Sequence, residues 1–154
     1  VHNLYDHPLQ LGADRWAALI GARAVHAHAS VVVMAGTATT VDLLSASGDF
    51  LGGLILPGVE LMQQSLAKGT AQLPSASGKF TLQPRCTLDA IRSGCLQAQA
   101  GAVERMFRQI ATHQNALCLL SGGAADSFAE LLDIPLRRID NLVLHGLAVL
   151  SASP

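Results

Sequence analysis

Apolar positions recur along this chain in two rhythms, a short continuous one and one of three to four residues. Val31 to Met34 form a continuous apolar, largely β-branched run, the signature of a strand buried on both faces. It breaks at Gly36 into a turn of small and hydroxyl residues, and Thr40 to Leu44 resume an extended pattern. That turn reads either as an ordinary β-hairpin or as a place to hold a phosphate on backbone N–H and hydroxyl donors. Ser45 to Asp49 carry turn chemistry, and Phe50 to Leu56 form a return strand interrupted at Gly52-Gly53 and stopped by Pro57-Gly58.

The helical rhythm marks the flanks. Leu11 to about Ala27 place Trp16, Leu19, Ile20 and Val25 near helical spacing, behind a polar, proline-containing connector at 1–10. Val59 to Lys68 predict a second helix, residues 69–86 an irregular segment, and Thr87 to about His113 the longest helix, with Thr87 as its N-cap. Gly94, Ala98 and Gly101 lie inside that helix, where close packing by another backbone would offset their low propensity. Ala116 to Leu120 predict a short buried strand and Ser121-Gly122-Gly123 a glycine turn. Ala125 to Leu132 predict a helix, Asn141 to Leu144 a last strand, and Gly146 to Leu150 a terminal helical turn. Three meandering strands followed by alternating helices and strands give a mixed-sheet α/β layout. It matches one half of an actin-like nucleotide-binding fold better than a Rossmann or TIM arrangement.

Composition narrows the classes. The chain has 154 residues, 50% hydrophobic and 14% charged, against roughly 25% charged in an average domain. So little charge predicts that apolar surface is covered by a second domain or subunit, and the start at Val1 suggests a piece of a longer protein. A net charge of −1 with interspersed signs argues against a nucleic-acid reader. No apolar run reaches the roughly 18 residues of a membrane span. Cys86, Cys95 and Cys118 form no metal-like cluster and read as small core residues in a reducing compartment, with the cytoplasm as default. His26 and His28 read as polar residues at a helix end.

Chemistry concentrates at two places. Asp14 stands at a loop-to-helix junction, where it is either a residue favoured by the helix dipole or an exposed general base. Arg15 beside it is a surface charge or an anion clamp. The strand, Gly-Gly turn and following segment at 116–132 have the geometry that lets a nucleotide lie against backbone. The P-loop and G-x-G-x-x-G fingerprints are absent, as are H-E-x-x-H, C-x-x-C and G-x-S-x-G.

Six segments, in order, carry a resemblance. They are Tyr5-x-x-Pro8, Leu11-Gly12-Ala13-Asp14-Arg15, Gly36-Thr37-Ala38-Thr39-Thr40-Val41-Asp42, Gly52-Gly53 with Pro57-Gly58, Thr87-x-x-Ala90-Ile91-x-Ser93-Gly94, and Ser121-Gly122-Gly123. Together they resemble the type III pantothenate kinases, also called the Bvg accessory factor family. The resemblance implies a ribonuclease H-like fold of the acetate/sugar kinase, Hsp70 and actin superfamily. It implies a cytoplasmic homodimer that phosphorylates pantothenate with ATP and Mg²⁺, the first step of coenzyme A biosynthesis. A non-catalytic accessory factor on the same fold and a related small-molecule kinase are the alternatives it carries.

Residue by residue, the resemblance makes Asp14 the proton acceptor and Tyr5, Gly12, Ala13, Asp14, Arg15 and Thr87 the pantothenate site, completed by a partner subunit. Gly36, Thr37, Gly122 and Gly123 become ATP contacts. It places 1–28 as a connector and helix closing a first domain, and 29–154 as the second actin-like domain. Two departures stand out. The family's Asp-x-Gly-Asn-Thr phosphate motif is absent from this sequence, so the chain alone is expected to be inactive. The resemblance implies an activating K⁺ or NH₄⁺, but Met34 occupies the position of the aspartate that serves it, so no metal ligand is assigned and the cation site is either lost or built from other oxygens.

Overall fold

The computed structural model describes residues 1–69 and 78–152, so part of the expected irregular segment, 70–77, lies outside the described residues. The β-branched run becomes β2 (Ser30–Ala35), which pairs antiparallel with β3 (Ala38–Leu44), and β3 pairs antiparallel with β4 (Asp49–Pro57). The expected meander is present. The Gly52-Gly53 interruption is absorbed within one strand: Leu44 pairs with Phe50 and Leu43 with Gly52, leaving Leu51 as an unpaired, exposed bulge residue.

The sheet has six strands in the order β1-β4-β3-β2-β5-β6, where β1 is His2–Asn3, β5 is Leu117–Ser121 and β6 is Leu136–Arg138. β5 lies parallel to β2 and β6 parallel to β5. Part of the expected connector at 1–10 therefore joins the sheet, through His2–Asn3 beside Asp49–Phe50.

Alternation along β2 sends its side chains to two cores. Val31 and Val33 join Val41, Cys118 and Leu120 under α3 (Thr87–Phe107), which contributes Leu96, Val103 and Phe107. Val32 joins Leu44, Phe50 and Leu119 under α1 (Ala13–Val25) and α4 (Leu142–Ala152), which contribute Leu19, Ala22 and Leu142. α2 (Val59–Gly69) packs beside α3. Asp14 and Thr87, at the starts of α1 and α3, thus belong to helices on opposite faces of the sheet.

Four expectations are corrected. Cys86, with extended backbone and no side-chain cap bond, is the N-cap of α3, and Thr87 is its first helical residue. α3 ends at Phe107 because the chain then tightens, with Gln109 and Ile110 N–H donating three residues back to Met106 and Phe107. The helix expected over 125–132 is two single 3₁₀ turns, Ala125–Ser127 and Ala129–Leu131, split at buried Phe128. The last strand lies at 136–138, while Asn141, at φ 50°, turns the chain into α4. Residues 141–144 read as a strand because Leu142-Val143-Leu144 is continuously apolar, yet burial falls at Leu142 and Gly146, a helical spacing.

Candidate active site

Because β2 and β5 are parallel neighbours with Met34 opposite Ser121, the turns that follow them come side by side. Gly36 and Thr37 bridge β2 to β3. Gly58 N–H donates to the Thr37 carbonyl at 2.7 Å. A Cβ on Gly58 would collide with the Gly36 carbonyl oxygen, so this close approach requires glycine. After β5, Gly122 takes φ +101° and lies against the Ala35 carbonyl, to which Ala124 N–H donates at 3.1 Å. The Ser121 hydroxyl accepts from Leu142 N–H at 3.3 Å and ties this turn to the start of α4.

Two cavities flank the paired turns. The first, about 290 Å³, is lined by Asp14 and Arg15 from α1, Met34, Gly36 and Thr40 from the β2–β3 hairpin, Gly122 and Gly123, and Val143 of α4, among others. The second, about 480 Å³, lies on the α2 side, with Thr37, Glu60, Gln64 and Ala124 in its wall. Gly36 and Gly123 belong to both. A Cβ on Gly123 would meet nothing within 4 Å, so the boundary between the cavities is open there. The Thr40 hydroxyl, in the wall of the first, is buried with no partner among the described residues.

The candidate residues divide accordingly. Asp14, Arg15, Gly36, Gly122 and Gly123 meet in the first cavity, and Thr37 lines the second. Gly12, the N-cap of α1, and Ala13, its first residue, are exposed beside Asp14. Tyr5 reaches the site through Arg15, whose Nη1 donates to the Tyr5 hydroxyl at 2.9 Å. Thr87 is exposed and lines neither cavity.

Arg15 is neither a surface charge nor a free anion clamp. It is 8% exposed and its forked edge grips Asp42, with Nε donating to Oδ2 at 3.2 Å and Nη2 to Oδ1. Burial works against the guanidinium, but the Asp42 hydrogen bonds and charge outweigh it and raise its pKa. Burial pushes the Asp42 carboxyl up, while Arg15 pulls it back. Two residues have no site role from the sequence. Asp42 closes the Gly36–Asp42 segment, yet only a charged residue inside a buried apolar run hints that it has a partner. Glu60 opens α2 as an ordinary first-turn acid.

Known proteins are similar to this chain in sequence and in fold. The family model for type III pantothenate kinase matches residues 1–109. A type III pantothenate kinase of Aromatoleum aromaticum is 66% identical over 151 residues, covering 98% of this chain and 62% of that protein. One from Dechloromonas aromatica is 56% identical over 147 residues, covering 96% and 61%. The chain thus spans about three-fifths of the length of these curated relatives. Among solved structures, a conserved Baf family protein from Campylobacter jejuni superposes with a TM-score of 0.68 at 24% identity, covering 97% of this chain and 66% of that one. That likeness supports the mixed-sheet, actin-like fold. With a family model that spans most of the sequence and relatives that match nearly all of it, the chain belongs to the type III pantothenate kinase family.

Proposed function

We propose that the full-length protein phosphorylates pantothenate with ATP to give 4′-phosphopantothenate, the entry step of coenzyme A biosynthesis. The observation that carries this reading is the pair of cavities meeting at Gly36 and Gly123, with an exposed carboxylate, Asp14, in one of them. Phosphoryl transfer requires that two ligands meet end to end with a base beside the attacking oxygen. The acceptor belongs in the Asp14 cavity and the nucleotide on the α2 side.

The glycine turns fit a polyphosphate, because Gly123 leaves its side open and the Thr37 hydroxyl stands in the wall. Bound there, ATP with its divalent cation supplies the phosphoryl group. The chain's own part is to position and to move one proton. Asp14 takes the acceptor's hydroxyl proton as that oxygen bonds to the γ-phosphorus and the bond to the β–γ bridging oxygen breaks, with ADP leaving. Gly36, Thr37, Gly122 and Gly123 hold the phosphates, and Tyr5, Gly12, Ala13 and Arg15 shape the acceptor side.

Thr87, exposed on a helix of the opposite sheet face, reaches an acceptor site only from a second copy. A homodimer in which Thr87 of the partner subunit closes the pocket accounts for its position. Residues 1–28 serve as the link between lobes, with α1 seated on the sheet of the lobe formed by 29–154. No helix among the described residues is long and apolar enough to cross a membrane, and we place the enzyme in the cytoplasm.

A monovalent cation does not fit the residue at Met34. That side chain lines the acceptor cavity, and a thioether is a poor ligand for K⁺. We therefore expect turnover that does not require K⁺ or NH₄⁺. Strict K⁺ dependence of the full-length enzyme would contradict this.

The decisive experiment is Asp14→Asn in the full-length protein. A positioned base contributes about a hundredfold to ten-thousandfold, and kcat for pantothenate phosphorylation should fall by that factor while the protein stays folded. Undiminished turnover would remove Asp14 as the base.

A further inference from the structure

Asp42 is 1% exposed in the middle of β3, between Val41 and Leu43. Those neighbours face α3, so alternation turns Asp42 toward α1, where Arg15 receives it. The guanidinium also lies 5.6 Å from the ring centroids of both Tyr5 and Phe50. Asp42 and Tyr5 take three of its five N–H groups. The other two have no partner among the described residues, and Arg15 lines the Asp14 cavity. Room for the pair exists because position 53 is glycine. A Cβ there would collide with Asp42 Oδ1 and lie 3.0 Å from Arg15 Nη2.

Stability is a weak explanation for such a pair, since apolar residues of similar volume often serve a core as well or better. Electrostatics of the cavity offers a stronger one. Arg15 and Asp14 are consecutive, and both line the same cavity. The other described residues of its wall, from β2, the β2–β3 turn, β3, the turn after β5 and α4, carry no charge, so Asp14 and Arg15 are the charged groups that line it. A guanidinium released from Asp42 sits on a long, flexible stem next to that carboxylate in sequence, and an ion pair between them would weaken Asp14 as a base.

We propose that Asp42 is a positioning residue: it holds the Arg15 guanidinium off Asp14, and leaves two N–H groups for an uncharged oxygen of the acceptor. Charge compensation by Asp42 is what makes Arg15 a hydrogen-bond donor to a hydroxyl or amide carbonyl rather than a free cation. This rests on the functional reading above, in which Asp14 is the base.

The test is the pH dependence of kcat for pantothenate phosphorylation by the full-length protein, for wild type, Asp42→Asn, and Asp42→Asn combined with Arg15→Met. In Asp42→Asn the acid limb should move down by about one pH unit or more, the range an opposite charge imposes. The plateau should fall at least about tenfold, as expected of a weakened base, with KM for ATP within about twofold of wild type. Removing the released cation in the double variant should return the acid limb to its wild-type position. Should Asp42→Asn fail to fold, Gly53→Ala displaces the same carboxylate and must produce the same shift. A folded variant with reduced turnover and an unmoved acid limb would reduce Asp42 to a structural role and overturn the proposal. A wild-type enzyme that ignores pantothenate, or shows no acid limb, would instead overturn the functional reading and this inference with it.

Discussion

The two faces of the sheet treat helical glycine in opposite ways. On the α1–α4 face, a Cβ on Gly21 would collide with the Leu142 carbonyl oxygen, and one on Gly146 with the Ala17 carbonyl oxygen. The two backbones touch where side chains would otherwise hold them apart. On the other face, Gly94 and Gly101 of α3 have no described residue within 4 Å of the corresponding positions. α3 meets the sheet through Leu96, Val103 and Phe107 instead. The intrinsic cost of glycine in a helix is the same on both faces, about 1 kcal/mol relative to alanine. Among the described residues, close packing offsets it only on the first face. The Asp14 cavity sits on that tight face, since Asp14 opens α1 and Val143 of α4 lines it. Close packing of the two helices fixes where the proposed base stands.

The strongest way to break this comparison is Gly146→Val. Its side chain would enter the Ala17 backbone, which cannot rotate away, and overpacking of this kind costs about 3 kcal/mol. Urea denaturation should show the midpoint falling by the corresponding amount. Because the separated helices carry Asp14 and Val143, activity of the full-length protein should fall even where the variant remains folded. An unchanged midpoint would mean that the α1–α4 contact is looser than the backbone approach implies.

How legible each region was depended on whether its signal is local. The β2–β3–β4 meander could be read because β-branched runs and Gly/Pro punctuation act over a few residues, and Ser30–Ala35, Ala38–Leu44 and Asp49–Pro57 lie where expected. α1 could be read from its period, and Asp14 as an acid in its first turn, while the choice of the base role for it comes from the family resemblance alone. Residues 125–152 could not. Phe128 is buried by tertiary contacts that stop a helix its neighbours favour. Leu142 and Val143 look β-like until Gly146 supplies a reason to lie flat on α1. The Arg15–Asp42 pair joins positions 27 residues apart, and no spacing rule connects them. Arg15 was therefore legible as a charge near the site, but its occupied fork was not.

A smaller effect is expected at Gly58. Its missing side chain lets Gly58 N–H reach the Thr37 carbonyl, and Gln99, buried in α3, donates to the Pro57 carbonyl at 2.8 Å just before it. Gly58→Ala should push the Gly36-Thr37 turn outward at a stability cost of about 1 to 2 kcal/mol. The functional signature is selective: KM for ATP should rise several-fold while KM for pantothenate changes little. Equal changes in both would mean that the turn serves the two cavities alike, and would remove its assignment to the phosphates.

The smallest effect has the opposite sign. Gly94→Ala and Gly101→Ala add a methyl group where the described residues place no atom within 4 Å, and each should raise stability by up to about 1 kcal/mol. A thermal melt of each variant, first for residues 1–154 if they fold in isolation and then for the full-length protein, separates two situations. Stabilisation in both would show that the exposed face of α3 stays open when the rest of the protein is present. Stabilisation of the short chain with loss in the full-length protein would show that another backbone comes as close to α3 as α4 comes to α1. The contrast between the two faces would then belong to this chain alone, and the cost of Gly94 and Gly101 would be offset by the same physics as that of Gly21 and Gly146.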